Sequence, residues 1–472
     1  MRRCVPPKRR WALFFVPLVC LLLALPESTA RGELPDEPLS LSQCVGIALA
    51  SSPDVLAAQE RVEQARAAVK QAQSGFYPRL SIGETFTRSD FAPLVFSNQL
   101  AQGELSGDFP MSPPPGFDPF GQFNNPGPYN NWNTQLMLQW QLFQGGRTFY
   151  GNRTALNELA AAESGLRIVH NDLIIAVSAA YYEILKTENS IGIAEESVRQ
   201  IRSHVEMAEA RYESEVALKS DVLRVTVHLA EAEEALAIAR HNLDRAKSQL
   251  NLAMGRSVNQ ALMLSEREPS VPNRFNSDDT LDTLIGRSRQ HRPEIEVMNK
   301  SLAALENSVS AARAGYYPEV SVFAHYDVDT EDFSDSNDSW TIGVGANVSI
   351  FDGFLTRSAV SAARARFREA EANNERLLLQ IEMEVKNAYL AQSEAATRLD
   401  VLEQSVAEAE ETLRIISERY AEGIALVTEL LDAEVALTNT RLRRISAHYD
   451  YLVATSALER AVGGNDGRRL EQ

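Results

Sequence analysis

The sequence predicts an α+β membrane protein in which very long α-helices carry four amphipathic strands, the whole being one unit written twice. Three observations predict it: an N-terminus of the export type, an internal duplication, and strand-length segments with one apolar and one polar face.

At the N-terminus, Arg2, Arg3, Lys8, Arg9 and Arg10 precede an apolar run from Trp11 to Leu25, and Ser28-Thr29-Ala30 supplies small residues for cleavage. Basic, apolar, small-x-small is the order of a secretory signal peptide, here residues 1–30 with cleavage after Ala30. An apolar run of about 15 residues is short for a membrane span. Pro17-Leu18-Val19 ahead of Cys20 lacks the small residue that precedes a lipid-bearing cysteine. The segment holds five basic residues and one acid, net +4, so its removal takes the formal charge from −18 to −22. That balance argues against nucleic acid or an anionic membrane surface as partner. Of three cysteines only Cys44 follows the segment, which leaves no intrachain disulfide and reads as a helix-packing thiol. No later stretch reaches 18 apolar residues, so a membrane would have to be crossed by a closed barrel.

The duplication sets the architecture. Gly75-Phe76-Tyr77-Pro78 returns as Gly315-Tyr316-Tyr317-Pro318, and Ser52-Pro53 as Arg292-Pro293, each 240 residues on. Trp132, Phe143, Gly145, Ala180-Tyr181 and Arg211-Tyr212 return as Trp340, Phe351, Gly353, Ala388-Tyr389 and Arg419-Tyr420, each 208 residues on. The offset drops by 32 between Pro78 and Trp132, which places an insertion in the first copy. That insertion, about residues 89–131, is dense in Pro, Gly and Asn, as in Pro113-Pro114-Pro115-Gly116, and reads as a long loop. The domains are therefore a signal peptide, 1–30; a first repeat, 31–254; an equatorial linker, 255–281; a second repeat, 282–462; and a polar tail, 463–472.

Within each repeat the strands alternate. Trp132, Thr134, Leu136, Leu138, Trp140 and Leu142 form one face against Asn133, Gln135, Gln139 and Gln141. Trp340, Ile342, Val344, Ala346, Val348 and Ile350 oppose Thr341, Gly343, Gly345, Asn347 and Ser349; Val320, Val322, Ala324 and Tyr326 alternate likewise, and Leu80 and Ile82 begin a weaker strand. Such period-2 segments suit one apolar and one wet face. Helices near 148–213 and 354–421 would each reach about 100 Å at 1.5 Å per residue. The shorter helices near 42–74 with 219–253, and near 282–314 with 428–462, match those lengths when stacked end to end. Leu399, Leu402, Val406, Ala409, Leu413, Ile416 and Tyr420 follow a 3,4 spacing, repeated by Ile191, Ala194, Val198, Ile201, Val205, Ala208 and Tyr212. That is a knobs-into-holes seam. At each helix-to-strand joint Gly75 or Gly315 is expected to end the helix in a left-handed cap, and Pro78 or Pro318 to start the strand.

This order, with the two Gly-aromatic-Tyr-Pro joints and the two tip motifs 211–223 and 419–432, resembles the TolC family of outer-membrane channels over nearly the whole exported chain. The resemblance implies a homotrimer whose protomers each give four strands to one 12-stranded antiparallel β-barrel, continued by a periplasmic α-helical coiled-coil barrel. It implies an outer-membrane exit duct of a tripartite efflux or type I secretion system. Its partners would be a periplasmic adaptor (membrane fusion) protein, an inner-membrane pump of the RND or ABC type, and outer-membrane lipid. The tips Val216, Ala217, Leu218 and Ser220, and Gly423, Ile424, Ala425, Leu426 and Thr428, fall where the family meets its adaptor. Glu215 stands where the second copy has Gly423, a departure at that turn. Asp221 and Thr428 also suit plain helix caps. Glu429 and Asp432 match the acidic pore constriction and lie at i and i+3 on one helix face; two solvated helix acids is the alternative. Asp221 and Tyr420 match the closing latch, whose arginine position is Ala425 here, leaving Arg224 as a substitute. Phe76, Tyr77, Phe143, Tyr316, Tyr317 and Phe351, at the helix–strand junctions, would form a membrane-interface belt, unless they only cap helix ends.

Nothing in the sequence points to an enzyme or a cofactor. It has no phosphate-binding GxxxxGK[ST] loop, and its seven histidines show no metal-ligand spacing. A coiled-coil spacer tethering the outer membrane to the periplasm is the competing function. It would have no pore and no use for alternating strands.

Overall fold

The computed structural model describes residues 38–104, 126–265 and 279–464. The export segment, the centre of the insertion with Pro113-Pro114-Pro115-Gly116, residues 266–278 of the equatorial linker and the tail from 465 on lie outside the described residues. The first repeat runs α1 (Leu41–Ser51), α2 (Pro53–Ser74), β1 (Arg79–Ser89), α3 (Ala92–Ala101), β2 (Tyr129–Gln144), α4 (Arg147–Glu213) and α5 (Lys219–Ala253). The second runs α6 (Leu281–His291), α7 (Pro293–Arg313), β3 (Glu319–Thr330), β4 (Asn337–Asn347), α8 (Leu355–Ala421) and α9 (Val427–Val462).

The long helices α4 and α8 have 67 residues each, so both reach about 100 Å. The seam residues of α8 are all buried or half-buried, and so are those of α4 except Tyr212. The stretches 42–74 and 282–314, read as one helix each, are broken before Pro53 and Pro293. Proline has no N–H to donate and disfavours a helical residue before it. Ser52 caps the new start, its hydroxyl accepting from the Asp54 N–H at 3.3 Å, and α1 and α2 meet at 44°. Arg292, at the matching break, is buried and ion-paired to Glu384 at 2.6 Å and Glu294 at 2.9 Å. Arg460 of α9 extends this network to Asp172 of α4 at 2.7 Å. The carboxylates around Arg460 raise its pKa against the opposing effect of its partial burial. Among the described helices, α4 contains a window apolar enough to cross a membrane, but half of that window is buried inside the chain, as in a core helix.

The principal core lies where α1, α4 and α5 meet, around Cys44, Val177, Tyr181, Ile184, Leu250 and Met254. Cys44 is fully buried there, and that burial pushes its thiol up to about 11, as a packing thiol requires. The described part of the linker joins this core through Leu262, and Leu264 bridges to Leu39.

The sheet is antiparallel in the order β1-β2-β3-β4. Its register aligns Leu80, Leu138, Ala324 and Ile342 across all four strands, and likewise Ile82, Leu136, Tyr326 and Trp340. One face is thus apolar from edge to edge. The alternate row, Thr85, Asn133, Asp329 and Asn337, is polar. The period-2 reading holds except at two places. β4 stops at Asn347, so Val348 and Ile350 fall outside it, and β2 carries a bulge between Gln141 and Phe143.

Two expectations are corrected. The insertion is not loop throughout: Ala92–Ala101 is helical, and β2 begins at Tyr129. Pro93 in the first turn, followed by Leu94, Val95 and Phe96, gives a helix start that the Pro, Gly and Asn content masks. Gly75 and Gly315 are not left-handed caps, since Gly75 has φ −65° and Gly315 lies in a 3₁₀ turn. Their requirement is close approach. A Cβ on Gly75 would sit 2.9 Å from the Thr148 side chain, and one on Gly315 would sit 2.8 Å from that of Thr356, at the start of the long helix in each copy. The left-handed residues at these joints are Gly145, Gly146, Gly353 and Phe354 instead.

Candidate functional site

Two places in the fold hold the residues that the sequence marks out for function: the turns between paired helices and the strand face.

Both turns close by the same hydrogen bonds. In the first, the Glu215 N–H donates to Tyr212 O at 3.0 Å and the Val216 N–H to Arg211 O at 2.9 Å; in the second, Gly423 donates to Tyr420 O at 3.0 Å and Ile424 to Arg419 O at 2.8 Å. Glu215 adopts φ +55° where Gly423 adopts +80°, so the sequence departure at Glu215 leaves the turn unchanged. Each returning helix is tied by an acid three residues in. The Leu218 N–H points to the Asp221 carboxylate at 3.4 Å, and the Leu426 N–H donates to that of Glu429 at 3.0 Å. The capping role expected of Thr428 therefore falls to Glu429, because the cap position is Leu426 and Thr428 is already in the first turn.

The residues expected to dock the adaptor sort by exposure. Val216, Leu218, Ile424 and Leu426 project as large exposed apolar side chains, and Ser220 and Gly423 are exposed beside them. Ala217 and Thr428 are half-buried. Ala425 is buried in the tip core with Val427, Leu430, Leu431 and Tyr420, so it supports the surface rather than forming it. Glu429 and Asp432 are both exposed on α9, on the side away from that core.

Of the residues expected to form the latch, Arg224 is exposed and Asp221 serves its own helix. Tyr420 is buried, and the arginine that engages it is Arg211. That guanidinium stacks over the ring at 4.4 Å and donates to Tyr420 O at 2.5 Å and Ala421 O at 2.8 Å. A cation on the last carbonyls of α8 also opposes the negative end of the helix dipole. Arg211 stood in the repeat motif, but only its place at the end of a neighbouring helix reveals the contact. A second pair carried no sequence signal. His204 of α4 meets Glu434 of α9 at 3.1 Å, with the carboxylate side chain 3% exposed.

At the other end of the long helices, Phe76, Tyr77, Phe143, Tyr316, Tyr317 and Phe351 are all exposed and all lie beside the same end of the sheet. The Trp140 indole N–H donates to Phe76 O at 3.0 Å, fixing that joint against β2. On the apolar face Trp340, Ile342 and Val344 are 71%, 67% and 71% exposed. Such a continuous apolar surface is suited to hydrocarbon.

An apolar-faced sheet at the end of helices about 100 Å long defines a class of protein: an outer-membrane channel that extends into the periplasm. The sequence profile of the family described as outer membrane efflux protein matches residues 44–256 and 284–464, and the chain belongs to that family. Protein CyaE of Bordetella pertussis is 26% identical over 413 residues, which is 87% of this chain and 81% of that protein. The cation efflux system protein CusC of Escherichia coli K12 is 23% identical over 426 residues, 88% of this chain and 85% of that protein. Among solved structures, the outer membrane protein VceC of Vibrio cholerae superposes with a TM-score of 0.74 at 22% identity, over 90% of this chain and 96% of that one. The chain is thus an outer-membrane exit duct of the efflux and secretion type, and its relatives are channels rather than enzymes.

Proposed function

We propose that three copies of the exported chain form one passive, gated conduit, and that its tips dock a periplasmic adaptor protein which couples it to an inner-membrane pump of the RND or ABC type. The observation that carries this is the open sheet. β1 and β4 are edges within the chain, and lipid does not tolerate unpaired backbone groups. Pairing β4 of one copy with β1 of the next closes three sheets into twelve strands. The exposed Val216, Leu218, Ile424 and Leu426 supply an apolar docking surface, and Arg211 with Tyr420 holds the closed tip where the family's arginine position is Ala425. Export by cleavage near Ala30 places the chain in the periplasm for assembly.

Glu429 and Asp432 of three copies would put six carboxylates around the periplasmic mouth. Fixed charges acting together in a narrow passage favour cations and bind polyvalent ones.

Mass measurement in detergent should give three chains; a stable membrane-inserted monomer would sink the assembly. Gly423→Trp should abolish export while leaving assembled channels in the membrane, and unchanged export would move docking elsewhere. In planar bilayers, Glu429→Gln with Asp432→Asn should weaken cation selectivity and block by trivalent metal complexes. Wild-type reversal potentials after both changes would make the two acids ordinary solvated residues. The coiled-coil spacer is the alternative, and it would show no conductance at all.

A further inference from the structure

The helix inside the insertion has no counterpart in the second copy, and it is held on the wet face of the sheet. Tyr129, Asn131 and Asn337 all belong to the polar rows. The Tyr129 hydroxyl donates to Gln102 at 2.5 Å, the Gln102 amide donates to Asn131 at 2.6 Å, and the Asn337 amide donates to Ala101 O at 2.8 Å. Asn131 passes the chain on to Asp329 at 2.8 Å. These polar-face residues are buried within a single copy, Asn131 at 7% and Asp329 at 6% exposure, whereas the opposite face is bare. The long helices leave from the other end of the sheet, and at this end it is the α3 segment that hydrogen-bonds to the polar row, beside the β3–β4 turn. A helix of 10 residues is about 15 Å long, and four strands spaced about 4.8 Å apart are nearly as wide. α3 therefore runs as a bar from β1, whose end it follows, to β4, which it touches.

One stripe of α3, Val95 and Asn98 continued by Gln102, is buried. Leu94, Phe96 and Leu100 are exposed large apolar side chains off that stripe. On the wet side of a barrel such a surface has no lipid to meet. Twelve strands tilted by about 40° make a barrel about 25 Å across. A helix is about 10 Å thick, so three bars on the inside of one rim leave an opening narrower than a helix.

We propose that the α3 helices of the three copies pack against one another through Leu94 and Leu100 and form an apolar gate at the outer mouth, at the end of the duct opposite the acidic ring. This rests on the trimer proposed above. Its occupant is a second copy of the same helix, and its effect is to exclude water and ions until cargo displaces it.

The test uses the full chain in membranes. Leu100→Cys should give cross-linked pairs on mild oxidation, since Cys44, the only cysteine after the export segment, is buried. A cysteine at Gln139, on the polar face below the bar, reports access from outside. In intact cells a polyethylene-glycol maleimide wider than a helix should label Gln139→Cys at least tenfold faster once Leu94 and Leu100 are changed to Gln. Asn337→Ala, which frees the end of α3, should act in the same direction if the double change misfolds. Either absence of cross-linking or rapid labelling in the unaltered background overturns the gate. The detergent mass of the same preparations separates the failures: three chains without a cross-link removes the gate alone, and a monomer removes the trimer with it.

Discussion

The two tips are one backbone turn built from two sets of residues. Their hydrogen bonds agree to within about 0.1 Å, yet their side chains have parted company. Tyr420 is buried under the Arg211 guanidinium, while its counterpart Tyr212 lies exposed. Glu434 is buried against His204, while the matching residues of the other copies, Thr226 and Thr412, are exposed and donate only to their own helices. The duplication thus preserved the chain path and gave the two hairpins different attachments. First-copy helix α4 supplies both His204 and Arg211, and second-copy helices α8 and α9 supply what they grip. One hairpin is the support and the other is held by it.

The largest effect should come from breaking the buried pair. Glu434→Ala leaves the His204 ring nitrogen without its acceptor, and leaving a buried hydrogen-bonding group unsatisfied costs about 1–3 kcal/mol. Thr226→Ala, its counterpart, should stay within about 0.5 kcal/mol, as exposed positions do. Thermal unfolding in detergent compares the two directly, and equal shifts would remove the asymmetry.

Next come the left-handed residues. Gly423→Val places a β-branched side chain at φ +80° and should cost about 1–2 kcal/mol. Glu215→Gly relieves the same strain in the other turn but loosens the unfolded chain, so its gain should stay below about 1 kcal/mol. If Gly423→Val is silent, the two turns differ in stiffness in a way their φ values do not express.

This pair also shows what the sequence could and could not carry. Gly423 announces a turn, and the 208-residue offset assigns the same turn to Glu215 although glutamate does not suggest one. The strands, long helices and seam were legible because periodicity and repetition are local signals repeated many times. Contacts between copies of the repeat were not. Arg211 with Tyr420 and His204 with Glu434 join residues more than 200 positions apart, and only helix packing sets which faces meet. The glycines at the joints were read for the right place with the wrong reason: Thr148 and Thr356, which crowd them, lie far along the chain. α3 was hidden by composition, since a helix of 10 residues among prolines and glycines counts as loop in any average.

Arg211→Met should have a smaller effect, about 1 kcal/mol, because it loses the bonds to Tyr420 O and Ala421 O and the ring contact but keeps much of the apolar stem. The loss should fall on the second tip. Hydrogen exchange at the end of α8 should quicken while the end of α4 is unchanged, and Tyr212→Ala should move neither. Faster exchange at both tips would mean that Arg211 braces the hairpins jointly.

The smallest effect concerns the two capping acids, and it separates helix stability from permeation. Asp221 and Glu429 hold equivalent places, three residues beyond Leu218 and Leu426, and each puts negative charge at a helix N-terminus. Such a charge contributes about 0.3–1 kcal/mol near the surface. Asn and Gln keep an oxygen that can accept the same N–H, so Asp221→Asn and Glu429→Gln lose only the charge component. Glu429 makes the shorter bond, 3.0 Å against 3.4 Å, and should lose slightly more stability. Capping predicts that the two changes resemble each other in every measurement. A ring at the mouth predicts that they part: Glu429→Gln alone should lower cation selectivity in planar bilayers, although both shift the unfolding temperature alike. If selectivity follows stability in both variants, Glu429 acts as a cap, and the acidic face of α9 has no part in choosing ions.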